Sequence, residues 1–498
     1  MNLLNICAWI KKNALHVPRK ICIRDADQEI SYEEIFRAVN AFAAVLLKHG
    51  VEKGDRVLIS IANTPEFVIA YMATLWCGGI AVPVHPLYTP YEFHNIISDC
   101  EPAAAIIEAG NSGKITLLTS LEGMKHVSTT GEKGSFHNAL SAACSSGTYV
   151  DTDDHDTAVI IYSYGIHGYP MGAMLTHGNL NHNAGIFLTC FGVDASDVSL
   201  GLIPFFHAFG ASQVMLTTLK CGGTLQLQNG MNINNLAATL KRGISVITAV
   251  PKTFYALARH PAFKDLDFRQ VKLLLSGGSC LPLTVYRDFK TRFGKDIRQG
   301  YGLTEASPAC TMNRAEDLRP DSIGTTVSGV EVRIVDEQDR TVGCNEIGEL
   351  IFRGPNVMKG YYKRPVETGE IIRDGWLYTG DLGYRDERQN LVITGMKKEM
   401  LITSGYNVYP GEIESALRAH PQIAEAKVVG LPDVMSGEVP AAYIVRTHQS
   451  LDVESIKSFL SHKFIHYKIP RRIKFINSIS EIDDSSVSAE ADKAHWIV

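Results

Sequence analysis

The sequence predicts an α/β protein with a large N-terminal region of layered α/β subdomains and a small, mobile α/β C-terminal domain. Three observations carry this expectation. The first ~150 residues alternate helical and strand-like patterns, as a layered α/β domain does. Such runs continue to about residue 390, with a denser strand-and-turn region from Val330 to Arg353. From Gly395 onward a shorter unit begins with its own helices and strands, and all ten cysteines lie before residue 345. The expected division is therefore 1–394 and 395–498.

Taken in order, Ser31–Lys48 places an N-cap serine three residues before Glu34 and then spaces apolar residues at a helical period. A turn from Gly50 to Asp55 leads into Arg56–Ile61, whose β-branched run reads as a buried strand, and Gly78–Val84 reads as another. At residues 158–180 an apolar strand ends in a loop with Gly165, Gly168 and Gly172 before a helix-like segment. Strand, glycine loop and helix is a layout that cradles phosphate on backbone N–H groups, although glycine also simply makes turns. Lys272–Leu275 reads as a strand feeding Ser276-Gly277-Gly278-Ser279. In the last unit, helices are expected at Gly411–His420 and Val453–Phe464, and strands at Ala424–Gly430 and Ala441–Val445. The basic stretch Lys468–Lys474 precedes a polar tail, with Asp483–Ser488 reading as flexible.

Composition narrows the function classes. The 498 residues are 45% hydrophobic and 20% charged, ordinary for a globular protein with a sizeable core. A formal charge of −5 gives no reason to expect nucleic acid as a partner. No apolar run approaches the ~20 residues that span a bilayer. Met1–Lys20 lacks the features of a signal peptide, so a cytoplasmic location is expected. The cysteines form no C-x-x-C pair or zinc-spaced cluster and read as reduced, mostly buried thiols. Oligomeric state is not legible.

The motifs, taken together, resemble those of the adenylate-forming superfamily, and within it the acyl-CoA synthetases of fatty and other carboxylic acids. The likeness spans nearly the whole chain. Tyr162, Gly165, Gly168, Pro170, Gly172 and Leu175-Thr176-His177 match the phosphate loop. Pro204–Gly210 resembles the aromatic-histidine segment that lines the acyl site, which implies that His207 and Ala306 border the acid. Gly277 and Gly278 resemble the turn against adenine. The most specific string is Gln299-Gly300-Tyr301-Gly302-Leu303-Thr304-Glu305. The resemblance implies that Tyr301 stacks on adenine beside Gly302, Thr304 binds the α-phosphate and Glu305 holds Mg²⁺. Gly348–Tyr362 matches a structural motif of the family, and Asp381 matches the carboxylate that accepts both ribose hydroxyls. Lys398 matches the hinge of the small domain, and Gly405 and Tyr406 the loop that forms the pantetheine tunnel for coenzyme A. The implied ligands are thus ATP or AMP, Mg²⁺, coenzyme A and a carboxylic acid, its adenylate or its thioester.

Several positions depart from that pattern. Tyr164, Ile166, His167 and Met171 stand where Ser, Thr, Thr and Lys bind phosphates, and neither Ile nor Met replaces a hydroxyl or a cation. Met396 replaces an arginine at the ribose, and Ser486 falls where a lysine bridges carboxylate and α-phosphate. Loss of that cation is expected to slow adenylation by roughly two orders of magnitude or more. Three readings follow: an acid–CoA ligase with impaired or altered use of ATP, a relative that works from preformed acyl-adenylate or acyl-CoA, and a non-catalytic binding protein.

Overall fold

The computed structural model describes residues 6–479 and 482, except 27, 132–133, 143–148, 165–168, 315, 317, 398–399 and 434. Gly165, Ile166, His167, Gly168, Lys398 and Ser486 therefore lie outside the described residues.

The chain forms two compact units. The first takes Met1–Pro86, Cys100–Tyr162 and Gly172–Gly395, and the second Leu87–Asp99, Ser163–Met171 and Met396–Val498. The first unit is layered. Parallel strands Arg56–Ser60, Ile80–Pro83 and Ala104–Glu108 form the middle of one sheet, with Ile80–Pro83 also parallel to Thr157–Tyr164. A second sheet aligns Val198–Gly201, Val246–Ala249, Leu273–Ser276 and Arg298–Gly302 in parallel, and its end is turned by antiparallel Ala309–Met312. A third, antiparallel sheet pairs Glu331–Val335, Gly348–Arg353 and Trp376–Arg385. Strands buried on both faces need helices over them, and the long Tyr32–Lys48 helix supplies one such layer, packing Ile35, Val39, Phe42 and Leu46 into the core. Its start follows the sequence: the Ser31 hydroxyl accepts Glu34 N–H at 3.3 Å and Glu34 accepts Ser31 N–H at 2.8 Å.

The glycine-loop expectation is corrected at one point. The segment after the loop is a strand, Pro170–Thr176, and the helix His177–Phe191 begins only after it. The strand forms because it pairs with Gly360–Tyr361, distant in sequence, through Gly360↔Met174 and Tyr361↔Ala173. Gly172 belongs to the strand rather than the loop; a Cβ there would lie 2.7 Å from Ile160 and 3.0 Å from the Tyr162 ring. The helix N-terminus is instead closed by its own capping box between Thr176 and Asn179.

The second unit has strands Ile423–Asp433 and Gly437–Arg446, longer than expected, and helices Pro410–Arg418 and Val453–Ser461. The basic stretch begins with a buried residue. Lys468 is 1% exposed, held by Glu92 at 2.9 Å and Glu412 at 3.0 Å. Glu92 comes from the helix Pro90–Cys100, most of which belongs to this unit. All nine described cysteines are free, and five of them are buried.

Candidate functional site

The first unit gathers most of the nucleotide candidates. Leu273–Ser276 ends in the Gly277-Gly278 turn, where Gly278 has φ +81°. A Cβ on Gly277 would lie 2.8 Å from Phe209 Cζ, so only glycine lets this turn approach the aromatic segment. Gln299 ties the turn region to the next strand: its Oε1 accepts Leu281 N–H at 2.7 Å, while its backbone neighbours Ser276 in parallel register.

Two residues along, Tyr301 donates its hydroxyl to Asp381 Oδ2. Asp381 sits on Trp376–Arg385, and the backbone around it is fixed from both sides. Glu349 Oε1 accepts Gly380 N–H at 2.7 Å, and Thr379 Oγ1 accepts Asp381 N–H at 3.0 Å. Burial raises the Asp381 carboxyl to about 6, and the charges of Glu349 and Glu305 push the same way against the Tyr301 hydrogen bond. Burial, with the adjacent Asp381 charge, raises the Tyr301 hydroxyl well above its usual value, so it is a donor at neutral pH. Asp381 Oδ1 accepts no hydrogen bond among the described residues. A ribose diol brings two donors, which fits a carboxylate with lone pairs to spare.

Thr304, Glu305 and Ala306 form a single 3₁₀ turn, one residue beyond Gly302. A Cβ on Gly302 would lie 1.9 Å from Pro308 O, which explains glycine at that place. Tyr361 donates to Glu305 Oε1 at 2.7 Å, and Met358 N–H to Glu305 O at 2.8 Å. The loop carrying Met358 is anchored by Asn179, whose Nδ2 donates to Pro355 O at 2.8 Å and Val357 O at 2.9 Å. Tyr361 and Glu349 are thus site-building residues that motif reading passed over as structural, with the Gly348–Tyr362 match as the available signal; Asn179 lies outside that match.

Among the described residues no group of three His, Cys, Asp or Glu side chains is arranged to hold a metal. A single carboxylate such as Glu305 suits Mg²⁺, which commonly takes one or two protein oxygens with substrate phosphates and water. When bound there, the ion would supply charge neutralisation at phosphate.

On the acid side, His207 precedes a buried π-helix, Phe209–Leu216, rather than an ordinary α-helix. Its Nδ1 accepts Phe209 N–H at 3.2 Å, and burial lowers its imidazole to about 4, so it is neutral at physiological pH. Ala306 is fully buried, and its carbonyl accepts Asn183 Nδ2 at 3.3 Å.

In the second unit, Met171 is 1% exposed on Pro170–Thr176: where the family pattern has a phosphate-binding lysine, this side chain is packed inside. Tyr164 ends the preceding strand, and Met396 ends Leu391–Met396 with a partly exposed side chain. Gly405, φ +89°, makes the turn between Leu401–Thr403 and Tyr406–Val408. Tyr406 stacks on Tyr467 with centroids 4.5 Å apart.

Comparisons with known proteins give the family. The AMP-binding enzyme family matches residues 10–362, and the AMP-binding enzyme C-terminal domain matches residues 412–482. A long-chain-fatty-acid–CoA ligase of Bacillus subtilis is 31% identical, covering 93% of this chain and 89% of that protein. The 4-coumarate–CoA ligase 3 of Oryza sativa subsp. japonica is 30% identical over 92% of this chain and 86% of its own. The crystal structure of ATP-bound MatB from Rhodopseudomonas palustris superposes with TM-score 0.76 at 30% identity, covering 95% of each chain. The chain belongs to the AMP-binding enzyme family, with the acyl-CoA synthetase-like fold of the adenylate-forming enzymes.

Proposed function

We propose that this protein is an AMP-forming carboxylic acid–CoA ligase. One observation carries the reading: Tyr301 is hydrogen-bonded to Asp381 in the same unit that holds Glu305, whose charge is near enough to help raise the Asp381 carboxyl. In the first half-reaction a carboxylate attacks the α-phosphorus of ATP, giving acyl-adenylate and pyrophosphate. In the second, the coenzyme A thiol displaces AMP and leaves acyl-CoA. Asp381 orients the ribose, Tyr301 offers its ring to adenine beside Gly277, Gly278 and Gly302, and Thr304 donates to the α-phosphate. Glu305, held by Tyr361, takes the metal. His207 and Ala306 border the acid, and Gly405 and Tyr406 receive the pantetheine arm. Residues 1–394 carry nucleotide and acid, and 395–498 form the C-terminal domain, turning about Lys398. The acid, fatty or aromatic, is supplied in the cytoplasm; among the described residues no helix is long and apolar enough to cross a membrane.

The test is product formation. With ATP, Mg²⁺, coenzyme A and a broad acid panel, AMP and acyl-CoA should appear together; their absence for every acid contradicts the proposal. The burial of Met171 favours one further reading, in which thioester forms from supplied acyl-AMP faster than from acid and ATP. Acyl-CoA from acyl-AMP alone, with none from ATP, would select it.

A further inference from the structure

One helix of the second unit comes from far up the chain. Leu87–Asp99 packs in that unit with the C-terminal residues, while Pro86 and Cys100 on either side belong to the first. Both flanks are pinned there: Pro86 O accepts Lys114 Nζ at 2.5 Å, and Cys100 O accepts Arg56 Nε at 2.7 Å. Pro90–Cys100 is thus a strap, joined at both ends to one unit and packed in the other.

What holds the strap is charged and buried. Thr89 Oγ1 donates to Lys463 O at 2.7 Å, and Glu92 Oε2 accepts the N–H groups of Ile465 at 3.0 Å and Thr89 at 3.1 Å. Glu92 Oε1 lies 2.9 Å from Lys468 Nζ, and Glu412 Oε1 lies 3.0 Å from the same ammonium. The two carboxylates are not equally served. Glu92 has two backbone donors besides the lysine, whereas Glu412 Oε2 is buried with no hydrogen-bond partner among the described residues. With both ionised the cluster holds one negative charge in excess, and Glu412 carries it with fewer donors. A proton on Glu412 leaves the Lys468–Glu92 pair electrically balanced. Burial, opposed by Lys468 and helped by the Glu92 charge, brings the Glu412 carboxyl up to about 7. Of the other ionisable groups nearby, Tyr88, Tyr406 and Tyr467 stay neutral because burial raises their hydroxyls. Glu414, on the same helix as Glu412, faces Arg418 at 3.6 Å and Lys427 at 3.8 Å, and Lys463 lies over the Tyr91 ring at 4.7 Å. His94 and Asp99 on the strap, Glu454 and Lys457 on Val453–Ser461, and His466 occupy exposed or half-buried positions.

We propose that Glu92, Lys468 and Glu412 form a proton-dependent clasp on the strap: protonated Glu412 keeps Pro90–Cys100 seated on the C-terminal residues, and its ionisation lets the helix detach. Detachment places Glu412 in water, where it ionises near 4.5, so a proton is released on opening between that value and about 7. Seating therefore weakens as pH rises from about 4.5 to about 7 and is level above that. Because the ends of the strap are held in the first unit, the clasp is a tie on the C-terminal residues additional to the chain junction at Gly395–Met396. It depends on no ligand and on no reaction.

Hydrogen exchange on the full chain, corrected for the intrinsic pH dependence of amide exchange, tests this directly. From pH 5 to pH 7 the amides of Pro90–Cys100 should lose protection by about tenfold or more, while those of Gly437–Arg446 keep theirs. Glu412→Gln, neutral at every pH, should hold the helix at its pH 5 protection throughout. Should that variant misfold, Glu92→Gln leaves one carboxylate for one ammonium and should move the loss to lower pH. Level protection in the wild type, or a loss that a folded variant reproduces unchanged, overturns the proposal. A loss shared by Gly437–Arg446 overturns it too, because it reports unfolding of the unit and not release of the strap.

Discussion

Asp381 has a carboxyl that ionises near 6, above the ordinary 3.8. Between those values the folded chain holds a proton that the unfolded chain has lost. The Asp381 contribution to stability therefore falls as pH rises from about 4 to about 6 and is level above that. Under the proposed function nucleotide binding runs the other way, because the ribose hydroxyls would donate to the ionised form. AMP affinity should weaken as pH drops below about 6, by up to roughly tenfold per unit. Calorimetric titration between pH 5 and 8 checks this, and Asp381→Asn should bind weakly with a flat profile. Met171 sets a second expectation at this scale. A lysine there restores the missing cation at a position that is 1% exposed, so it should both help catalysis and lower the melting temperature. Met171→Lys with Ser486→Lys should raise acid- and ATP-dependent AMP release by on the order of a hundredfold. An unchanged rate in a folded double variant would place the limitation outside these positions.

Elements show what the sequence made legible and what it did not. The Tyr32–Lys48 helix was readable to the residue, because its capping box and apolar spacing are local. The glycine segment was misread because its strand depends on Gly360–Tyr361, a partner nearly two hundred residues away that no local pattern announces. The candidate site divides the same way. Tyr301, Glu305 and Asp381 stand in contiguous motifs, whereas the bonds from Tyr361 to Glu305 and from Glu349 to Gly380 join separate segments. Lys468 opens the basic stretch, and nothing local in the sequence announces its partners. It is enclosed by Glu92 and Glu412, and burial, opposed by the lysine, raises the Glu412 carboxyl to about 7. Removing the ammonium leaves two carboxylates buried without a cation. Lys468→Met should therefore destabilise the second unit by about 3–5 kcal/mol in denaturant titration. A loss below about 1 kcal/mol would mean that the cluster protonates and relaxes without cost.

For the molecule as a whole, the fold and family point to acid activation, and under the proposed function Met171, Met396 and Ser486 are the positions expected to slow it. Burial of Met171 makes one of those departures a packing feature, since its side chain is part of the interior. In the proposed function, Asp381 beside Tyr301 and Glu305 under Tyr361 are the groups that receive the nucleotide. The most direct test is acid-dependent exchange of labelled pyrophosphate into ATP by the purified chain, with Asp381→Asn alongside. Exchange above the no-acid background for at least one carboxylic acid, lost in the variant, is the expected result. Background exchange across the whole acid panel would contradict activation of acids by ATP.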